Sequence, residues 1–62
     1  MGIHGIAIRE KKTKKLDEFM ECDVGREALK ILGGVRINLN HEDYYAEETM
    51  VEQSEIDAIQ RD

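Results

Sequence analysis

A single cysteine, Cys22, serves a chain of 62 residues, so no internal disulfide can staple whatever core the chain forms. No set of cysteines and histidines has zinc spacing either. Domains of this length withdraw only about 60% of their unfolded surface from water, which leaves stability marginal. Association with another surface is the remaining source of burial, and a homo-oligomer, dimer or higher, is expected. One small domain, residues 1–62, is all this length supports. The unpaired thiol suits a reducing interior. No apolar run approaches the ~20 residues of a membrane span. Residues 1–7 lack a basic stretch followed by a long apolar one, so a cytoplasmic protein with no membrane partner is expected.

Charge is sorted along the chain. Residues 1–15 carry Arg9, Lys11, Lys12, Lys14 and Lys15 against Glu10 alone, and residues 41–62 carry eight acids against Arg61. The three successive segments sum to +4, −2 and −7, giving the net −5. A chain polarised in this way attracts copies of itself or offers a partner two opposite surfaces.

The periodicity points to an α+β fold in the order β-α-α-β-β-α, an antiparallel hairpin packed on a broken helix. In residues 1–9, Ile6 and Ile8 alternate with Ala7 and Arg9, which predicts a strand. Residues 10–15 form a basic connection without an apolar side chain. Residues 16–32 read as helical, but the polar face of the first half, Asp17, Glu18 and Glu21, is rotated about half a turn from that of the second. A break at Cys22–Asp23 resolves this, giving helices over about 14–21 and 24–32, with Asp23 capping the second and Gly33 and Gly34 ending it. In residues 34–40, Val35, Ile37 and Leu39 alternate with Arg36, Asn38 and Asn40, the pattern of a strand with one wet face. A turn at residues 40–43 then leads to a return strand through residue 51, completing a hairpin over 34–51, although Ala, Glu and Met there also suit a helix. An acidic terminal helix is expected over 54–60, capped by Ser54. The fragment 34–40 resembles one strand of the small dimeric carbon-storage-regulator RNA-binding proteins, but the helical middle does not fit their all-strand core.

Five groups of residues are candidates for chemistry. The lysine run with Arg9 can neutralise phosphates, but no aromatic residue interleaves with it and the net charge opposes nucleic acid. The broken helix has the outline of a helix-turn-helix that would present Arg26, Glu27 and Lys30. Glu21 stands there where close packing needs a small residue, so a helical pair serving as core is preferred. Asn38, Asn40 and Glu42 alternate like the first ligands of a calcium loop, but Asp43 replaces its glycine and Thr49 its last glutamate. Cys22, His4 and His41 include no assured nucleophile–base pair, and no phosphate-binding loop or nucleophile elbow is present. No catalytic residue, metal or cofactor is therefore expected.

The cluster Glu42, Asp43, Tyr44, Tyr45, Glu47 and Glu48, extended by Glu52 and Glu55, is the fifth candidate. On a hairpin and terminal helix it would make an acidic surface with two aromatic anchors at its centre. Such a surface steers and holds a basic protein partner and can occupy a site built for nucleic-acid phosphates. The functional expectation is a small non-catalytic interaction protein that binds or inhibits a basic macromolecule. The alternatives are a dimeric nucleic-acid-binding module using the lysine run and a self-assembling structural subunit.

Overall fold

Ile3, Ile6 and Ile8 suit a pleated surface, and residues Gly2–Glu10 form strand β1 in the computed structural model, which describes residues 1–60. β1 is the middle of three antiparallel strands, flanked by β2 (Leu16–Glu21) and β3 (Tyr44–Glu52). A middle strand can be covered on both faces, and here Ile6 and Ile8 are buried on one face while Ala7 is buried on the other. On the first face they meet Ala46 and the residues Ala28 and Leu32 of helix α1 (Arg26–Asn38). On the second, Ala7 meets Leu16, Val51 and Ile56, the last from helix α2 (Gln53–Gln60). The sheet is thus sandwiched between two helices in the order β-β-α-β-α. The α+β class stands; the expected order β-α-α-β-β-α does not.

The first correction falls at residues 16–21, expected as helix and found as β2. Their apolar spacing looks helical because both faces of this strand meet a core and because its register is interrupted. Ile8 pairs with Glu18 but Arg9 pairs with Leu16, so Asp17 is an extra residue. That bulge puts Leu16 and Phe19, three positions apart, on the same face of the sheet. β2 lies very close to β1 at Gly5. A Cβ there would run into the Met20 carbonyl oxygen and stand 2.6 Å from Phe19 Cζ. Only glycine leaves that space to the Phe19 ring.

The second correction is the helix. α1 begins at Arg26, after Gly25, whose φ of 124° is a conformation that side-chain-bearing residues rarely adopt. No side-chain hydrogen bond caps this start, so Asp23 is not the cap expected of it. α1 then runs through Gly33 and Gly34, which were expected to end it. The apolar positions Ala28, Ile31, Leu32, Val35 and Leu39 recur at helical spacing and pack on the sheet, and that burial outweighs the low helix propensity of two glycines. The expected strand over 34–40 and hairpin over 34–51 are therefore absent, and with them the RNA-binding resemblance. The helix-turn-helix fails too, since its first helix is β2. β3 is the strand expected after the turn, but its partner is β1, in unbroken register from Gly2 opposite Glu52 to Glu10 opposite Tyr44. α2 follows β3 directly and matches the expected terminal helix within one residue. Arg61 and Asp62, counted with the acidic end, lie outside the described residues.

Candidate functional site

Strand periodicity decides where the acidic cluster goes. Successive side chains of β3 point to opposite faces, so Tyr44, Ala46, Glu48, Met50 and Glu52 share the face of α1. Tyr45, Glu47, Thr49 and Val51 share the face of α2. Tyr44 and Tyr45 are therefore not neighbours at the centre of one acidic surface. Glu42 and Asp43 are exposed in the turn before β3.

On the α2 face, Tyr45, Glu47 and Glu55 gather round Arg9. The guanidinium donates to both Glu55 oxygens, at 2.8 and 3.3 Å, and to the Lys14 carbonyl at 2.8 Å. Its Nε lies 3.5 Å from Glu47, and the arginine side chain is only 17% exposed. The paired hydrogen bond to Glu55 is the main reason the Arg9 pKa is raised, and its counterpart holds the Glu55 carboxyl below 4.5. Lys14 stands over Tyr45 with its ammonium 5.6 Å from the ring centroid. This residue takes φ 64° in the loop between β1 and β2, where its N–H reaches the Glu10 carbonyl at 2.8 Å. The basic connection and the acidic end thus meet inside the molecule. Lys11 reinforces the contact, its N–H donating to the Asp43 carbonyl at 2.8 Å and its ammonium to the His41 carbonyl. Lys12 and Lys15 remain exposed.

On the α1 face, His4 of the middle strand bridges both outer strands. Nδ1 donates to the Cys22 carbonyl at 2.7 Å and Nε2 lies 2.9 Å from a Glu48 oxygen. The imidazolium satisfies both at once. The His4 pKa is accordingly raised above 6.5, first by the Cys22 carbonyl and then, against partial desolvation, by Glu48. Glu52 lies 3.1 Å from the Met1 amine. Four of the eight cluster acids and tyrosines named above are thus carboxylates held by cations of this chain: Glu47, Glu48, Glu52 and Glu55.

β2 differs. Among the described residues no ion pair involves Asp17, Glu18 or Glu21. α1 packs mainly on β3 and β1, while α2 packs on β2 and β3, so the α1-side face of β2 touches the core at Met20 and is otherwise open. The gap between β2 and α1 is a groove of about 490 Å³, floored by Ile8 and Met20 and walled by Ile31, Val35 and Leu39, with Glu18 as its acidic member. Sequence reasoning missed this groove because it needs β2 to be a strand.

The remaining candidates are committed elsewhere. His4 bonds the carbonyl of Cys22, not its thiol, and burial together with Glu27, Glu48 and Asp23 pushes the thiol pKa up. His41 Nε2 lies 2.7 Å from the Arg36 carbonyl near the end of α1. Asn40 accepts from the Glu42 N–H at 3.1 Å and donates to Asp43 at 3.0 Å, a local turn, while Asn38 closes the helix. Among the described residues, no three of His, Cys, Asp and Glu stand where they could hold a metal ion, and no helix is long and apolar enough to cross a membrane. Compared with family models, curated proteins and solved structures, the chain matches none.

Proposed function

We propose that the protein is a small non-catalytic interaction protein that takes a basic, extended segment of a macromolecular partner along β3. One observation carries this reading: β3 is an acidic strand of nine residues that, among the described residues, is paired with β1 alone. Its outer edge presents N–H and C=O groups to an added strand, which supplies affinity through the backbone. Glu48 and Glu52 on one face and Glu47 on the other flank that edge, and they select for Lys and Arg while steering encounter. The pairing of Glu52 leaves this role open, because its contact with the Met1 amine is exposed, such pairs contribute only about 0–1 kcal/mol, and a basic partner can exchange for it. The free thiol fits a reducing, cytoplasmic setting. The nucleic-acid reading is weaker, because the chain's net charge of −5 opposes phosphates and Arg9 of its basic run is paired with Glu55.

The test is a pull-down from the source cell with wild type and with Glu47, Glu48 and Glu52 all changed to Gln. Loss of the captured protein in the variant, and weaker capture as salt rises, is the expected result. Equal capture by both proteins overturns the reading, and capture of nucleic acid moves the function to the lysine loop.

A further inference from the structure

α1 has a second apolar stripe that faces away from its own sheet. Leu29, Gly33 and Ile37 follow one another at four-residue intervals, running from the flank of α1 at Leu29 to the point opposite the buried Ala28 at Ile37. Leu29 is 64% exposed and Ile37 is 82% exposed, the latter among the most exposed large apolar side chains of the chain. Arg26 and Lys30 flank this stripe and are exposed. A Cβ at Gly33 or at Gly34 would meet nothing within 4 Å, so another surface can approach the helix closely there. The outer face of α1 is thus apolar, cationic and stepped inward at its middle.

The groove beside the same helix has the complementary character. Its floor and walls are apolar, and its acid Glu18 has no ion-pair partner among the described residues. Glu27 lies one helical turn before Ile31 on the groove side of α1. We propose that α1 of a second copy lies in this groove, and that the reciprocal contact builds a two-fold dimer with the two α1 helices side by side between two sheets. Ile37 of each copy then packs on Met20 of the other, and Arg26 and Lys30 face Glu18 and Glu27. A two-fold axis makes both contacts identical, so the assembly closes at two chains. It also supplies burial that a chain of this size lacks by itself. The groove lies on the β2 side of the sheet and no β3 side chain lines it, so the inference is independent of the β3 reading.

The test uses purified full chain and sedimentation velocity over a range of concentrations, with circular dichroism to verify folding. Wild type is expected to be a dimer. Ile37→Glu should raise the dimer Kd by at least about tenfold. Two charge variants refine the result: Glu18→Lys with Glu27→Lys, and Arg26→Glu with Lys30→Glu. Each alone sets like charges against each other and should be monomeric, whereas an equimolar mixture should recover the dimer mass, since every contact in the mixed pair is again between opposite charges. The β3 variant with Glu47, Glu48 and Glu52 changed to Gln should stay dimeric. A wild type that is monomeric throughout overturns the proposal. So does a mixture that stays monomeric, and so does dissociation of the β3 variant, which would place the contact at β3.

Discussion

β3 and β2 are both outer strands and both acidic, but β3 runs nine residues in unbroken register while β2 runs six and is bulged at Asp17. The carboxylates of β3 lie beside Arg9, His4 and the chain's amine; those of β2 lie beside no cation among the described residues. The two edges suit different modes of contact. A long regular edge offers its backbone to an added strand. A short, bulged, charged edge resists such addition, yet the open face behind it offers side chains to a helix. Net acidity alone does not separate these two cases; the placement of the counter-charges does.

The connection between β1 and each outer strand can be broken separately. On the β2 side, Gly5→Ala should cost the most, about 2–4 kcal/mol by chemical denaturation, because the new methyl meets backbone and ring atoms that cannot both yield. A loss below that range would mean that β2 slides easily along β1 and that the groove is soft. On the β3 side, Arg9→Ala should cost about 1–1.5 kcal/mol, because it removes the paired bonds of a mostly buried guanidinium to Glu55 and its bond to the Lys14 carbonyl. The loss should shrink as pH falls and Glu55 protonates, since its lowered pKa contributes stability only above that pKa.

Smaller effects sharpen the contrast. Gly33→Ala should stabilise the monomer by about 0.8–1.0 kcal/mol, from helix propensity alone, because nothing surrounds the site. Dilute melting curves check this. The smallest effect belongs to His4, which holds both outer strands. Its folded-state pKa is raised, so its contribution is fully present below pH 6.5 and is lost as pH rises through the higher folded value. Melting temperature should therefore fall over that rise in wild type, and the fall should flatten in His4→Gln.

The elements legible in the sequence were those with one dominant signal: the isoleucines of β1, the residues after the turn that became β3, and the terminal helix. Residues 16–21 read as a helix because Leu16, Phe19 and Met20 imitate a helical face when a strand is bulged and touches two cores. Residues 34–40 read as a strand because Val35 and Leu39 are four apart, a spacing common to a strand face and a helix face, while Ile37 between them points to solvent at 82% exposure. The glycine pair added to the error by resembling a helix end. The acidic cluster was legible as composition and illegible as a surface, since period two sends Tyr44 and Tyr45 to opposite sides. The Arg9–Glu55 pair joins residues 46 positions apart and becomes visible only once the sheet order is known.

β1 meets β2 across a short loop, yet its other neighbour arrives only with β3, so that the Met1 amine reaches a residue 51 positions later. β1 thus precedes both of its partners in the chain, and its second edge is paired only through β3. A β1–β2 hairpin without β3 would leave Ile6, Ala7 and Ile8 along an unpaired backbone edge, a template for mispairing between neighbouring chains. The lysine loop at the tip of that hairpin is like-charged from one chain to the next, and that repulsion would oppose such mispairing.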